Sequence, residues 1–131
     1  PLLSPNIRSV YLQAYSLETV IAEKFHTMLD RDEYNSRMKD FFDCYQLLTK
    51  RELHDETLYD AIKATFDNRE LEYNPKLKLF TAEFVNDANR QMQWKLFLRK
   101  IQWKEELSFN VVMQVITDRL KPMAEKYWNK K

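Results

Sequence analysis

A chain of 131 residues with 44% hydrophobic and 14% aromatic content can bury a core of its own, which excludes a disordered segment and a miniprotein that depends on staples. Its net charge of +1 excludes recruitment of nucleic acid or membrane by the field of the whole molecule. Cys44 is the single cysteine, so there is no internal disulfide and a reducing cytoplasm suits the chain, and no apolar run approaches the roughly 20 residues of a membrane span.

Residues 1–6 carry two prolines and read as a linker or entry segment. Residues 7–15 are β-rich with imperfect alternation, which predicts a strand. Ser16, followed by Glu18 and Thr19, predicts a helix start. Leu17, Val20, Ile21, Phe25 and Met28 then keep helical spacing to about Leu29. After a polar break over 30–35, helices are expected over 36–50 and 55–68, the second with Leu58, Ile62 and Phe66 inward. Asn74-Pro75 marks a turn. A long helix is expected over 81–101, carrying Phe84, Ala88, Met92, Trp94 and Leu98. Ser108 caps a last helix to about Leu120, with Phe109, Val112, Met113, Ile116 and Leu120 on one stripe and Pro122 ending or kinking it.

The fold class is therefore mainly α, a bundle of about five helices preceded by one strand. The expected division is a linker and strand over 1–15 and a helical domain over 16–131. A lone strand leaves its backbone groups without partners, so it is expected to belong to the sheet of a core upstream. The chain contains no glycine, where average usage near ~7% would give about nine. No glycine-based phosphate loop can exist in it. Together with an opening that lacks Met, this predicts a piece of a longer protein.

Two helices carry charge where apolar residues belong. Counting ~100° per residue, Lys24 falls in the middle of the face made by Val20, Ile21 and Met28. On the next helix Phe41, Cys44, Tyr45 and Leu48 define the apolar face, Asp40 falls inside that arc, and Asp43 lies at its border. A lysine on an apolar stripe either snorkels to water or finds a carboxylate. Asp43 could equally form an ordinary i,i+4 pair with Lys39. If the helices form an antiparallel hairpin the charges meet, and Lys24 is expected within salt-bridge reach of Asp40 or Asp43. A structural ion pair and a catalytic cluster then both remain open.

The residues around these charges carry a resemblance. Residues 14–48 include Ala22-Glu23-Lys24 on one helix and Arg37-Met38-Lys39-Asp40-Phe41-Phe42-Asp43 on the next. This order of an Ala-Glu-Lys motif and an Arg-x-Lys-Asp-x-x-Asp motif resembles the AbiEii/AbiGii toxin family, and residues 91–100 and 108–123 are similar to its carboxy-terminal helices. The resemblance implies a nucleotidyltransferase with a polymerase-β-like core, belonging to toxin–antitoxin and phage-abortive systems, with tRNA an acceptor for some relatives. It implies Mg2+ and an NTP for the full-length parent, held by an upstream core with Gly-Ser and acidic-pair motifs. It also implies a cognate antitoxin as partner. By the same resemblance Lys24, Asp40 and Asp43 are the catalytic residues, supported by Glu23, Arg37 and Lys39. The Gly-Ser and acidic-pair motifs are not found in these residues, so the isolated chain is expected to bind no NTP tightly and to be inactive.

The competing expectation is a helical interaction module for RNA or a protein partner. Trp94, Lys95, Arg99, Lys100, Trp103 and Lys104 interleave basic and aromatic residues, though Trp94 also fits a helix core and Glu105-Glu106 follow directly. No metal site is expected, because His26, Cys44 and His54 lack ligand-type spacing. Nor does any local arrangement support Cys44 as a nucleophile.

Overall fold

The computed structural model describes residues 16–129. The strand expected over 7–15, and with it the upstream segment 1–15, lies outside the described residues. The described residues form six α-helices: α1 (Leu17–Arg31), α2 (Met38–Lys50), α3 (Asp55–Asn68), α4 (Ala82–Asn86), α5 (Ala88–Lys100) and α6 (Phe109–Asn129), with a 3-10 turn (Asp32–Tyr34) between α1 and α2. The mainly helical class inferred from periodicity is what the structure has.

Helix α1 starts where its sequence says it should. Ser16 is the N-cap, and its hydroxyl accepts from the Thr19 backbone N–H at 3.0 Å, satisfying one of the donors that a helix start leaves open. Its inner face (Ile21, Phe25, Met28) packs mainly against Leu58, Ile62 and Phe66 of α3, all fully buried. Helix α2 lies between α1 and α6, with the Phe41 ring edge-on to Phe109 at 5.3 Å. Phe42, on the side of α2 toward α5, meets Trp103 at 5.1 Å and Phe97 at 5.5 Å. One continuous aromatic and aliphatic core thus joins all the longer helices.

Two expected helix boundaries are corrected. The single helix over 81–101 is two helices, broken at Asp87, whose backbone is extended in ψ (φ −56°, ψ 128°) and whose carboxylate accepts from the Arg90 N–H at 2.9 Å. An aspartate that caps the following turn competes with helix continuation. The break also re-phases the stripe, so Phe84 and Trp94 are buried while Ala88 is exposed and Met92 is 55% exposed. The last helix does not stop at Pro122 but runs to Asn129 with the proline inside it. Leu120, Ala124 and Tyr127 are all buried on one face across the proline, and that packing offsets the backbone hydrogen bond the ring removes.

Without glycine, other residues take up positive-φ backbone at three helix ends: Asp32 (φ 49°), Glu70 (φ 53°) and Gln102 (φ 59°). After α5, Trp103 N–H donates to Leu98 C=O at 2.9 Å and Gln102 N–H to Arg99 C=O at 3.1 Å. After α3, Leu71 and Glu70 make the equivalent bonds to Phe66 and Asp67. Both are Schellman caps built on a side chain that costs about 1–2 kcal/mol more than glycine in this conformation.

Candidate active site: a lysine held between two buried aspartates

Helices α1 and α2 are joined by the 3-10 turn and three further residues, and they bring their misplaced charges together. The Lys24 ammonium lies 2.9 Å from Asp43 Oδ2 and 3.3 Å from Asp40 Oδ1. Lys24 keeps 20% of its side chain exposed, whereas Asp40 keeps 5% and Asp43 7%. The lysine therefore neither snorkels freely nor sinks: its head meets two carboxylates, and its side chain is the most exposed of the three.

Arg37 joins the group from the start of α2, its Nε 3.3 Å from Asp40 Oδ2. Four formal charges thus balance within one cluster. Lys39 is exposed, and its field reaches Asp43 without an ion pair between them. Glu23 is not in the cluster. It faces the other way along α1 and pairs with Arg69 at 2.5 Å, tying α1 to the end of α3.

Burial sets the electrostatics. At Asp43 loss of water raises the carboxyl pKa above its ordinary value and Asp40 adds to that rise, together outweighing the opposite pull of Lys24 and Lys39. At Lys24 burial alone would lower the pKa, but the combined attraction of Asp43 and Asp40 is larger, so the group ends above its ordinary value and stays charged at neutral pH. Asp43 Oδ1 is buried and has no hydrogen-bond partner. Beneath the cluster, burial pushes the Cys44 thiol up to about 12, which leaves it a core residue and not a nucleophile.

These shifts give a pH dependence with a definite sign. The folded state holds the Asp43 proton more tightly than the unfolded state does. Ionising Asp43 therefore costs stability as pH rises from its ordinary pKa through its raised one. Lys24 contributes throughout the neutral range and loses its contribution only as pH climbs through its raised value. The amide introduced by Asp43→Asn does not titrate, so the stability of that variant relative to wild type is expected to improve as pH rises from the ordinary carboxylate range through the raised Asp43 value. Urea unfolding at several pH values checks this, and a relative decline over that interval would contradict it.

Asp40 and Asp43 share a cation that the chain itself supplies. The space between them is taken by the Lys24 ammonium, and among the described residues no group of three His, Cys, Asp or Glu side chains is placed to hold a metal ion. Nor do the basic and aromatic residues around α5 form a stacking surface. Trp94 is buried with its Nε1–H donated to Leu107 C=O at 2.8 Å, and Trp103 is half-buried against Phe42. Lys95, Arg99, Lys100 and Lys104 are exposed, but the rings between them belong to the core.

Two residues that periodicity did not single out hold the hairpin turn. Asp32 is buried, and its carboxylate accepts from the backbone N–H groups of Lys78 (3.0 Å) and Leu79 (2.8 Å). Arg90 reaches back from α5 to the Glu33 carbonyl at 2.7 Å while its guanidinium lies over the Phe84 ring. An aspartate in a polar break gives no periodic signal, and only the missing glycine hinted that a side chain had to organise this reversal.

Among the described residues no helix is long and apolar enough to cross a membrane. No curated relative and no solved structure matches the chain. A family model described as the nucleotidyl transferase AbiEii toxin of Type IV toxin–antitoxin systems matches residues 2–115, a span that contains Lys24, Arg37, Asp40 and Asp43 and most of the helices that position them. The chain belongs to this AbiEii family of nucleotidyl transferase toxins.

Proposed function

We propose that these helices carry one wall of a nucleotidyltransferase active site, with Lys24 as the group that touches substrate and Asp40 and Asp43 as the residues that position it. The observation that carries this is the Lys24 ammonium, held by two nearly buried carboxylates on a side chain that keeps 20% of its surface exposed. In nucleotidyl transfer an acceptor hydroxyl bonds to the α-phosphorus as the bond to the departing pyrophosphate breaks, and charge must be met on the phosphoryl and leaving oxygens. Catalysis of this kind is mainly positioning and charge stabilisation. A fixed, permanently protonated lysine supplies that charge without reorganising during the reaction. The two carboxylates keep it charged and limit its movement, and Arg37 neutralises Asp40 so that the group as a whole does not repel phosphate.

The triphosphate cradle and Mg2+, which when bound neutralises phosphate oxygens, lie in this proposal on a core outside the described residues. A glycine-free chain offers no tight backbone cradle, and the space between Asp40 and Asp43 holds an ammonium. The isolated chain is then inactive. A tRNA acceptor, a cognate antitoxin, a cytoplasmic site of action and a role in phage abortive infection belong to the same proposal and rest on the family. The test is transfer of label from an α-labelled NTP by the full-length protein. Asp43→Asn, verified as folded by circular dichroism, is expected to lose transfer. Wild-type rates in the folded variant would reject the assignment.

A further inference from the structure

The turn that joins the two site helices displays an aromatic ring to solvent. Tyr34 is 84% exposed, more than the other exposed large hydrophobic residues Tyr73, Met92, Leu96 and Val111. A single exposed aromatic is ordinary on a protein surface. This one sits on a segment that is clamped from several directions. On one side of it the Asp32 carboxylate is bound by the Lys78 and Leu79 N–H groups, and the Glu33 carbonyl by Arg90. On the other side Asn35 is buried at 1% exposure. Its N–H donates to the Asp32 carbonyl at 3.1 Å and its Oδ1 accepts from the Arg37 N–H at 2.9 Å. The backbone of Asp32 is held at positive φ (49°) within the same turn. Strain, a buried carboxylate and a buried amide thus fix four residues, and the side chains they display to solvent are Glu33 and Tyr34.

Its position relative to the charge cluster is set by covalent geometry. Tyr34 and Arg37 are three residues apart, at most about 11 Å between their Cα atoms, and the Arg37 guanidinium is 3.3 Å from Asp40. That is within the reach of a single nucleotide whose phosphates lie toward Lys24 and Arg37. Charge around the turn is mixed: Arg31, Arg37 and Lys39 are exposed cations, and Asp30 and Glu33 exposed anions. A general anion trap would not be built this way. A planar uncharged group stacking on an exposed ring fits better, with the phosphates attached to it drawn to the Arg37 side.

We propose that Tyr34 is a stacking platform for a nucleobase at the edge of the Lys24–Asp40–Asp43 site. This rests on the nucleotidyltransferase reading for the orientation of the phosphates, but not for the stacking itself. The base belongs either to the incoming nucleotide or to the end of a polynucleotide acceptor, which present the same chemistry. A backbone fixed before binding leaves less freedom to lose on stacking, which is the advantage of clamping the turn.

The test is calorimetric titration of the full-length protein with each of the four NTPs and, separately, with a mixed-sequence single-stranded RNA. Wild type, Tyr34→Phe and Tyr34→Ala are compared. Stacking is expected to survive in Tyr34→Phe, and at least one ligand is expected to bind on the order of tenfold more weakly to Tyr34→Ala. A loss confined to an NTP assigns the platform to the incoming base, and a loss confined to RNA assigns it to the acceptor. Tyr34→Ala binding every ligand as wild type does, or weakening that Tyr34→Phe shares in full, would overturn the proposal. Parallel transfer assays on Asp43→Asn separate the two ideas. Transfer lost there with binding unchanged in Tyr34→Ala defeats the platform alone, and transfer retained there with binding weakened in Tyr34→Ala defeats the active-site assignment alone.

Discussion

Replacing Lys24 by Met in the full-length protein is expected to lower nucleotidyl transfer by about 10²–10³-fold, the loss typical of removing one preorganised charge-stabilising donor. Methionine keeps the buried stem and removes only the ammonium that lies 2.9 Å from Asp43 and 3.3 Å from Asp40. The variant also carries a folding cost. Two nearly buried carboxylates lose their shared cation, and breaking a buried pair by removing one partner costs about 3–5 kcal/mol. The stability loss alone could mimic a catalytic loss, so the decisive comparison is the double variant Lys24→Met with Asp43→Asn. It restores the local charge balance and is expected to regain most of the stability. Transfer should stay lost, because the charge offered to phosphate is still missing. Recovery of transfer together with stability would reduce the cluster to a structural ion pair.

Asp32→Ala is the second large effect, on stability. The Asp32 carboxylate is the acceptor for two backbone donors, one of them on the fully buried Leu79. Leaving a buried donor unsatisfied costs about 1–3 kcal/mol, so the variant is expected to lose roughly 3 kcal/mol in urea unfolding. Asp32→Asn keeps an acceptor oxygen and should lose less. Alanine within about 0.5 kcal/mol of wild type, the range of an ordinary surface change, would show that the 71–81 segment is held by its packing and not by this carboxylate.

Much of the helical pattern was legible because burial imposes it. Leu58, Ile62 and Phe66, and then Phe109, Val112, Met113, Ile116 and Leu120, stand at the spacing their helices need and are all buried. The charges of the site were legible for the complementary reason: Lys24 and Asp40 interrupt stripes that would otherwise be apolar, and the structure brings them together. What stayed hidden was local chemistry that overrides periodicity. Asp87 caps a new helix where Phe84 and Trp94 suggested one continuous element, and Pro122 lies inside a helix that its neighbours' burial sustains. Asp32, Glu70 and Gln102 reverse the chain in conformations for which glycine is the expected signal. Glu23, adjacent to Lys24 in the Ala-Glu-Lys motif, turns toward Arg69 instead of the cluster, because successive residues on a helix point about 100° apart.

Whether these helices supply a charge cluster to an active site whose nucleotide cradle lies elsewhere is tested most directly on the isolated 131 residues. The measurement is calorimetric titration with the four ribonucleoside triphosphates and magnesium. Triphosphate requires a concentrated set of donors and usually carboxylate-held magnesium, whereas the cluster offers one partly exposed lysine and an arginine already paired with Asp40. No tight binding of any of the four is expected. Low-micromolar affinity for one of them would place the nucleotide site within these helices and contradict the division between cradle and cluster.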